Sequence, residues 1–198
     1  NSKHVCGRIF DYFKKILNTN ISVPTELNYL QEKYLDQASK LFKNDKKYVG
    51  FSITAGHPTR KKEISLKTIV EVANYFSDKN FVPTFFIEEK YEDKINTIKT
   101  MVKNSYFPEH LVKSSLKNPF LVIAMGKKLH SAISINNGIM HMFGLAGTRT
   151  AVFFDENSDK FKPLNDNKSK IYCSSKSNNK KTKDLTSEDV INFIKDFI

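Results

Sequence analysis

The sequence predicts an α/β protein in which a parallel sheet is covered by helices on both faces. Short runs of apolar and β-branched residues alternate along the chain with stretches whose apolar residues recur at helical spacing. The strand candidates are almost uniformly apolar, as in residues 48–54 (YVGFSIT), which is typical of strands buried on both faces. Regular alternation of strand and helix favours parallel pairing through crossover connections, and so predicts a Rossmann-like sheet.

Composition narrows the class of protein. The chain has 198 residues, of which 39% are hydrophobic, enough for one α/β domain with its own core. The only cysteines are Cys6 and Cys173, too few for a disulfide framework, which favours a reducing compartment. No apolar run approaches the roughly 20 residues that span a bilayer, and no signal peptide is visible. We therefore expect a cytoplasmic protein.

The net charge of +11 has two interpretations. A strongly basic chain suits a polyanionic partner, but lysines scattered along the sequence also follow from genome composition, and their scatter favours the second interpretation. One basic cluster lies in a Ser/Asn-rich stretch and is predicted to be a solvated loop: Lys176, Lys180, Lys181 and Lys183. No nucleic-acid-reading motif is present, so nucleic acid is not an expected partner, and a basic nucleic-acid-binding module is the most distant alternative.

The first 44 residues are predicted to be helical. The chain begins at Asn1, and Ile9, Phe13 and Ile16 already follow helical spacing, so we expect the sequence to start inside a longer protein. A second helix is predicted over residues 24–43, with Pro24 near its start. We interpret residues 1–44 as a connecting segment from a missing N-terminal domain. Residues 45–198 are then one Rossmann-like domain ending in a helix.

The elements of this domain follow in order. Strands are predicted over residues 48–54, 81–87, 110–113, 132–135, 150–154 and 171–173. Helices are predicted to begin at the N-cap candidates Ser65, Asn118 and Thr186, the last running over 186–198, and after the acidic turn 88–92. A further helix covers residues 139–146 and is closed by Gly147. The apolar run 120–125 fits helix or strand equally well on periodicity.

A parallel sheet binds its ligands beyond the carboxyl ends of its strands, so the strand-to-helix loops are the candidate sites. Residues 136–141 (NNGIMH) are the most informative of them. Asn136, Asn137 and Gly138 form a turn that opens a helix, where unpaired backbone N–H groups and the positive end of the dipole favour an anion. His141 lies in the first turn, where the dipole is expected to lower its pKa and keep it neutral. The alternative is an ordinary capped turn.

The loop after the first strand is the second candidate. Gly56, His57, Thr59 and Lys62 place hydrogen-bond donors and a cation at the same predicted edge of the sheet, and lysine suits a diphosphate as a compact charge. A solvated charged loop is the alternative. In the acidic turn, a carboxylate among Glu88, Glu89 and Glu92 is suited to ribose or sugar hydroxyls, the alternative being a charged helix start favoured by the dipole.

Other kinds of site are not supported. The five histidines show no HxxxH or Cys/His spacing, so no metal site is expected. GxSxG, GxGxxG and Walker A patterns are also lacking. We therefore expect neither a metal nor an organic cofactor.

Several of these segments together resemble one family. Residues 134–142 (SINNGIMHM) are similar to the S-N-D-S-G-x-M-H-L-A signature of the ADP-heptose:lipopolysaccharide heptosyltransferases, glycosyltransferase family 9. After it, residues 150–163 (TAVFFDENSDKFKP) bring Pro163 to the expected place. Upstream, residues 54–65 (TAGHPTRKKEIS) match the family's glycine at Gly56 and its lysine at Lys62, whereas the Trp-Pro that follows is replaced. The resemblance covers about residues 45–175.

The resemblance implies a GT-B fold of two facing Rossmann-like domains, of which this chain is the C-terminal, nucleotide-sugar-binding half. Residues 119–130 are then a helix. Carried over position by position, and with His57 added from the chemistry of its loop, the donor contacts are Gly56, His57, Thr59, Lys62, Glu92, Asn136, Asn137, Gly138 and His141. Glu88 or Glu89 aligns in place of Glu92 as an alternative.

The reaction implied is inverting transfer of a sugar from a nucleoside diphosphate sugar, ADP-heptose in this family, to a lipopolysaccharide or glycan acceptor. Lys62, His141 and the helix N-terminus would stabilise the leaving diphosphate without a metal. The family's catalytic base lies in the other domain, so the chain alone is expected to be inactive. Asn136 stands where the family has aspartate, which keeps open a non-catalytic nucleotide-sugar-binding domain. Peripheral contact with the inner membrane face is a further expectation.

Overall fold

Five parallel strands form the centre of the molecule. In this computed structural model, which describes residues 3–20, 22–56, 63–176 and 180–197, one sheet has the order β2-β1-β3-β4-β5. Its strands are β1 Lys47–Ser52, β2 Phe81–Phe85, β3 Ser131–Ile135, β4 Thr150–Phe154 and β5 Ser169–Cys173. The predicted α/β class and Rossmann-like sheet are confirmed.

Eight α-helices accompany the sheet in the described ranges: α1 Val5–Leu17, α2 Glu32–Leu41, α3 Leu66–Asp78, α4 Glu92–Met101, α5 Pro119–Gly126, α6 Gly138–Leu145, α7 Ser158–Phe161 and α8 Ser187–Ile194. Short 3-10 helices cover Pro108–Leu111, Ser114–Leu116, Asp166–Lys168, Ser174–Lys176 and Thr182–Asp184. The three N-cap candidates act as predicted: Ser65, Asn118 and Thr186 each accept a hydrogen bond from a backbone N–H of the first turn that follows. The run 120–125 belongs to α5.

The two faces of the sheet carry separate helical layers. Helices α3, α4 and α8 pack on one face, where alternate residues of the central strands, such as Phe51 and Ile133, are fully buried. Helices α2, α5 and α6 cover the other face, where Phe143 of α6 and Ala132 of β3 belong to the same buried cluster. Gly50 of β1 allows this layer to approach, because a Cβ there would lie 2.6 Å from the Leu129 side chain. The core is therefore a three-layer sandwich.

The helix predicted over residues 24–43 is wrong in its first part, since α2 begins only at Glu32. Residues 24–31 instead run along the end of α6. The backbone N–H of Leu27 donates to the Leu145 carbonyl at 2.7 Å. The Glu26 carboxylate accepts from Asn165 at 2.6 Å and pairs with Lys168 at 2.9 Å. Tertiary contacts thus take the place of the local helical bonds that the apolar spacing predicted.

The strand predicted over residues 110–113 is also wrong. Pro108–Leu111 forms a 3-10 helix, and Tyr106 instead pairs with Thr84 of the edge strand β2 in a single parallel bridge. The Phe85 N–H donates to the Tyr106 carbonyl, and the Tyr106 N–H donates to the Pro83 carbonyl, at 2.7 and 2.8 Å. Pro108, with its fixed φ and no N–H, ends this pairing after a single bridge.

Helix α1 differs from the others in leaving its apolar side chains uncovered. None of its residues is buried, and Ile9, Tyr12, Phe13 and Ile16 are all exposed. In the part of the chain that the structure describes, no helix combines the length and the apolarity needed to cross a bilayer. The assignment of residues 1–44 to a connecting segment stays a prediction.

Candidate functional site

The topology creates a crevice between β1 and β3 at the carboxyl edge of the sheet. These strands are neighbours, yet the helices that follow them, α3 and α6, pack on opposite faces. The two strand-to-helix connections therefore separate at this point, which is where open α/β sheets bind their ligands. Among the described residues, 53–56 and 63–65 after β1 and residues 136–137 after β3 flank the crevice.

Asn137 joins the two sides of this crevice. Its Oδ1 accepts from the N–H of Met140 at 2.9 Å and so caps α6. Its Nδ2 donates to Ser52 Oγ at 2.7 Å and to the Thr54 carbonyl at 3.0 Å, at the end of β1. Because both ends of the amide are occupied, Asn137 holds the crevice together, which is the capping role that the sequence left open as an alternative to ligand binding.

The first turn of α6 is open to a ligand. Gly138 is exposed, and a Cβ built on it would meet no atom within 4 Å. Among the described residues, no atom therefore blocks the approach of an anion to the backbone N–H groups beside Gly138. Asn136 is half-buried, and its side chain forms no hydrogen bond with the described residues, so its amide is available beside the same turn.

His141 lies on α6, half-buried. Burial lowers its pKa, and the charge of His4 lowers that pKa further. The sequence correctly predicted that the pKa of His141 is lowered. The main cause, however, is burial of the ring and not the helix dipole. A neutral imidazole here has one N–H to donate to a phosphate oxygen.

The lowered pKa of His141 makes the free energy of unfolding depend on pH. Because the folded state resists protonating this ring, the unfolded chain binds the extra proton as pH falls below the ordinary value of 6.5. Stability is therefore expected to fall between pH 7.5 and 5.5, and His141→Gln should reduce this loss. Urea unfolding of both proteins at the two pH values tests this. An equal loss in both proteins would contradict it.

The loop after β1 contains Gly56, whose φ of +71° lies in the left-handed region that favours glycine. The predicted contacts His57, Thr59 and Lys62 lie outside the described residues. At the far side of this loop, Glu63 accepts from the Ala55 N–H at 3.0 Å and pairs with Lys94 of α4. The Glu63 side chain thereby holds the two ends of this loop together. This role was not predicted, because one glutamate among several charges carries no local signal.

A cavity of about 440 Å³, the β2 cavity, adjoins the crevice at the end of β2. Its walls are apolar side chains of three elements, Ile87, Val122, Ile139 and Met142, and its polar groups include Glu88, Glu89, Glu109 and Lys117. Since Ile139 and Met142 belong to α6, the cavity and the open helix end share one helix. A mostly apolar cavity with a few polar groups is the usual form of a small-molecule site.

The acidic residues at this cavity are only partly those predicted. Glu92 is exposed in the first turn of α4 and does not line the cavity, whereas the alternatives Glu88 and Glu89 do. Glu89 pairs with Lys117 at 2.7 Å, and this bond lowers the pKa of Glu89. Burial is the main cause that raises the pKa of Glu109 above its usual value, and the charges of Glu88 and Glu89 raise it further. Glu109 and Lys117 flank the mispredicted segment 110–113 and were not anticipated.

A cavity of about 500 Å³ lies elsewhere, at the amino edge of the sheet. Its two tyrosine hydroxyls are already bonded to backbone groups, Tyr48 Oη to the Lys43 N–H at 3.0 Å and Tyr106 Oη to the Leu41 carbonyl at 2.8 Å. Among the described residues, no three potential metal ligands come together. Since parallel sheets bind at their carboxyl edge, the β2 cavity and the crevice are the better site despite the smaller volume.

Solved structures share this architecture over the whole chain. A family 9 glycosyltransferase from Veillonella parvula DSM 2008 superposes with a TM-score of 0.80 at 14% identity, covering 100% of this chain and 60% of that one. The chain has the fold of these glycosyltransferases. E. coli heptosyltransferase WaaC, solved with ADP, gives a TM-score of 0.72 at 14% identity, covering 100% of this chain and 58% of WaaC.

E. coli ADP-heptose lps heptosyltransferase II superposes with a TM-score of 0.65 at 12% identity, covering 90% of this chain and 55% of that one. This chain therefore spans 55% to 60% of the length of these enzymes. At the level of sequence, no family model and no curated protein matches it. The predicted resemblance to family 9 is confirmed at the level of the fold.

Proposed function

We propose that the chain is the donor-binding domain of a glycosyltransferase and holds a nucleoside diphosphate sugar at the carboxyl edge of its sheet. The observation that carries this proposal is one helix, α6, that offers an open N-terminus in the crevice and also lines the β2 cavity. An anionic site beside an apolar cavity suits a ligand that has a diphosphate at one end and a base at the other.

Each part of the donor is assigned to particular residues. The diphosphate lies against Gly138, where it accepts from the first N–H groups of α6 and from His141, with Asn136 beside it. The nucleoside enters the β2 cavity between Val122 and Ile139. Ribose hydroxyls donate to Glu88 or Glu89, and Glu92 stays a less direct candidate. Gly56, Thr59 and Lys62 are the further donor contacts that the resemblance implies, with His57 added from the chemistry of its loop.

The reaction is inverting sugar transfer. An acceptor hydroxyl forms a new bond to the anomeric carbon, the bond from that carbon to the diphosphate oxygen breaks, and the acceptor proton passes to a base on another domain. Charge that develops on the leaving diphosphate meets the α6 N-terminus, the His141 N–H and Lys62, so no metal is needed. ADP-heptose is the proposed donor, since WaaC is solved with ADP and with ADP-2-deoxy-2-fluoro heptose.

The remaining assignments belong to the same proposal. The acceptor is a lipopolysaccharide or related glycolipid, reached by peripheral contact with the inner membrane face from the cytoplasm. Residues 1–44 connect to the domain that supplies the base, and without that domain the chain binds but does not catalyse. A second candidate rests on Asn136, whose neutral amide replaces the family's carboxylate: a domain that binds nucleotide sugars without transferring them.

Nucleotide titration with a pair of histidine variants tests donor binding. ADP, UDP and GDP are titrated into the chain by calorimetry, then into His141→Ala and His130→Ala. Loss of the phosphate-directed N–H should weaken ADP binding about tenfold in His141→Ala. His130 is a matched control, because burial lowers its pKa too, yet it precedes β3 at the opposite edge of the sheet. Equal weakening in both variants, or no binding of any nucleotide, would reject the proposal.

A further inference from the structure

Another cavity lies at the carboxyl edge, away from the β2 cavity. Its volume is about 470 Å³, and it lies between the start of α1 and the residues that follow β4 and β5. We call it the α1 pocket and define it by Lys3, Arg8, Asn157, Asp159, Lys160 and Lys176. None of these residues has a part in the proposed donor site.

Positive charge dominates the α1 pocket. Four cations line it, Lys3, Arg8, Lys160 and Lys176, against the single carboxylate of Asp159. Lys176 Nζ bonds Asp159 Oδ1 at 2.5 Å, while Lys3, Arg8 and Lys160 form no ion pair with any residue in the described ranges. The pKa of Asp159 is lowered first by this bond and further by the charges of Lys176, Lys3 and Lys162. Three of the four cations in this concave site therefore have no ion-pair partner among the described residues.

The arrangement suits a phosphate group in particular. Arginine presents a planar set of N–H donors that matches two phosphate oxygens, and lysines add compact charges around it. Two neutral polar groups also line the pocket, the Asn157 amide and the Ser175 hydroxyl, the latter 3.4 Å from Cys173 Sγ. These groups come from the start of α1, from α7 and its N-cap, and from the 3-10 helix Ser174–Lys176, so only the folded chain brings them together.

The α1 pocket is close to the proposed diphosphate site without being part of it. His4, next to Lys3, hydrogen-bonds the Lys162 carbonyl through Nε2 at 2.9 Å. The same His4 is near enough to His141 for its charge to lower the pKa of that ring. His4 therefore connects the start of α1 to the surroundings of His141 on α6.

We propose that the α1 pocket is a second anion site that binds a phosphomonoester. Its role in catalysis rests on the proposed function: the phosphate belongs to an acidic acceptor, which the pocket holds beside the donor. The other source of the same chemistry, the donor's own diphosphate, is distinguished by whether ADP and the monoester bind together.

The test is a titration of the chain with glycerol 3-phosphate at about 150 mM salt, with and without saturating ADP. Arg8→Gln removes the bidentate donor, and Lys15→Gln removes one charge from the same helix outside the pocket. Saturable binding should persist in ADP, weaken about tenfold in Arg8→Gln and stay within about twofold in Lys15→Gln.

Three outcomes would overturn the proposal: no saturable binding, displacement by ADP, or equal weakening in the two variants, which would indicate only the general positive field of the chain. Failure of the proposed function has a different signature. If ADP itself does not bind while glycerol 3-phosphate binds in an Arg8-dependent way, the donor assignment fails and the α1 pocket stands.

Discussion

Replacement of Asn137 by alanine is expected to reduce the free energy of unfolding by about 2–3 kcal/mol, because the side chain makes one capping bond and two bonds to the end of β1. The change also frees the two sides of the crevice from each other. ADP affinity should therefore fall together with stability. Urea unfolding and calorimetric titration of the same preparation measure the two effects.

Two variants separate the contributions of Asn137. Asn137→Ser retains an N-cap but is too short to bond both Ser52 and Thr54, so it should recover about 1 kcal/mol of the loss and little of the affinity. Asn136→Ala alters the neighbouring amide, which has no bonds among the described residues, and should change stability by less than about 0.5 kcal/mol. A loss in Asn136→Ala equal to that in Asn137→Ala would contradict the assignment of the bridge to Asn137.

Removal of the Phe51 ring should have the largest effect on stability. Phe51 is fully buried in β1, with its ring stacked on Phe85 at a centroid distance of 5.0 Å and edge-on to Phe76 at 6.3 Å. Truncation to alanine leaves a cavity between the sheet and α3. The expected cost is about 3–5 kcal/mol, measured by urea or thermal unfolding.

Phe120 provides the matched control for this substitution. It also stacks on an aromatic ring, Tyr34, at 6.0 Å, but about half of its surface is exposed, 51%. Phe120→Ala should cost about 1 kcal/mol or less, because little apolar area returns to water. If the two substitutions cost the same, the described core is not the main source of stability.

Local chemistry was sufficient to predict most of the fold. The caps at Ser65, Asn118 and Thr186 depend on a polar side chain and the next three residues, which the sequence contains. The nearly all-apolar strands indicated a sheet buried on both faces. The segment 24–31 and the region around Tyr106 were mispredicted because their backbones bond to α6 and β2, partners that lie far away in sequence.

The candidate site likewise has a part that the sequence predicts and a part that depends on long-range contacts. Residues 136–141 combine a turn, a glycine and a helix start in six positions, so their location at the crevice was predictable, although the bridging role of Asn137 was not. Glu109 and Lys117 reach the β2 cavity only because the chain returns along the edge of β2. The cations of the α1 pocket come from both ends of the chain, and no spacing rule joins Arg8 to Lys160.

The bond from Asn137 to Ser52 connects residues 85 positions apart. Long-range pairings of this kind form late, since the chain between them must first be ordered, and parallel sheets with high contact order fold slowly for this reason. The crevice therefore cannot survive local unfolding of either β1 or α6. A ligand bound in the crevice therefore stabilises the whole domain. An increase in ligand concentration should raise the global melting temperature and should not protect one segment alone.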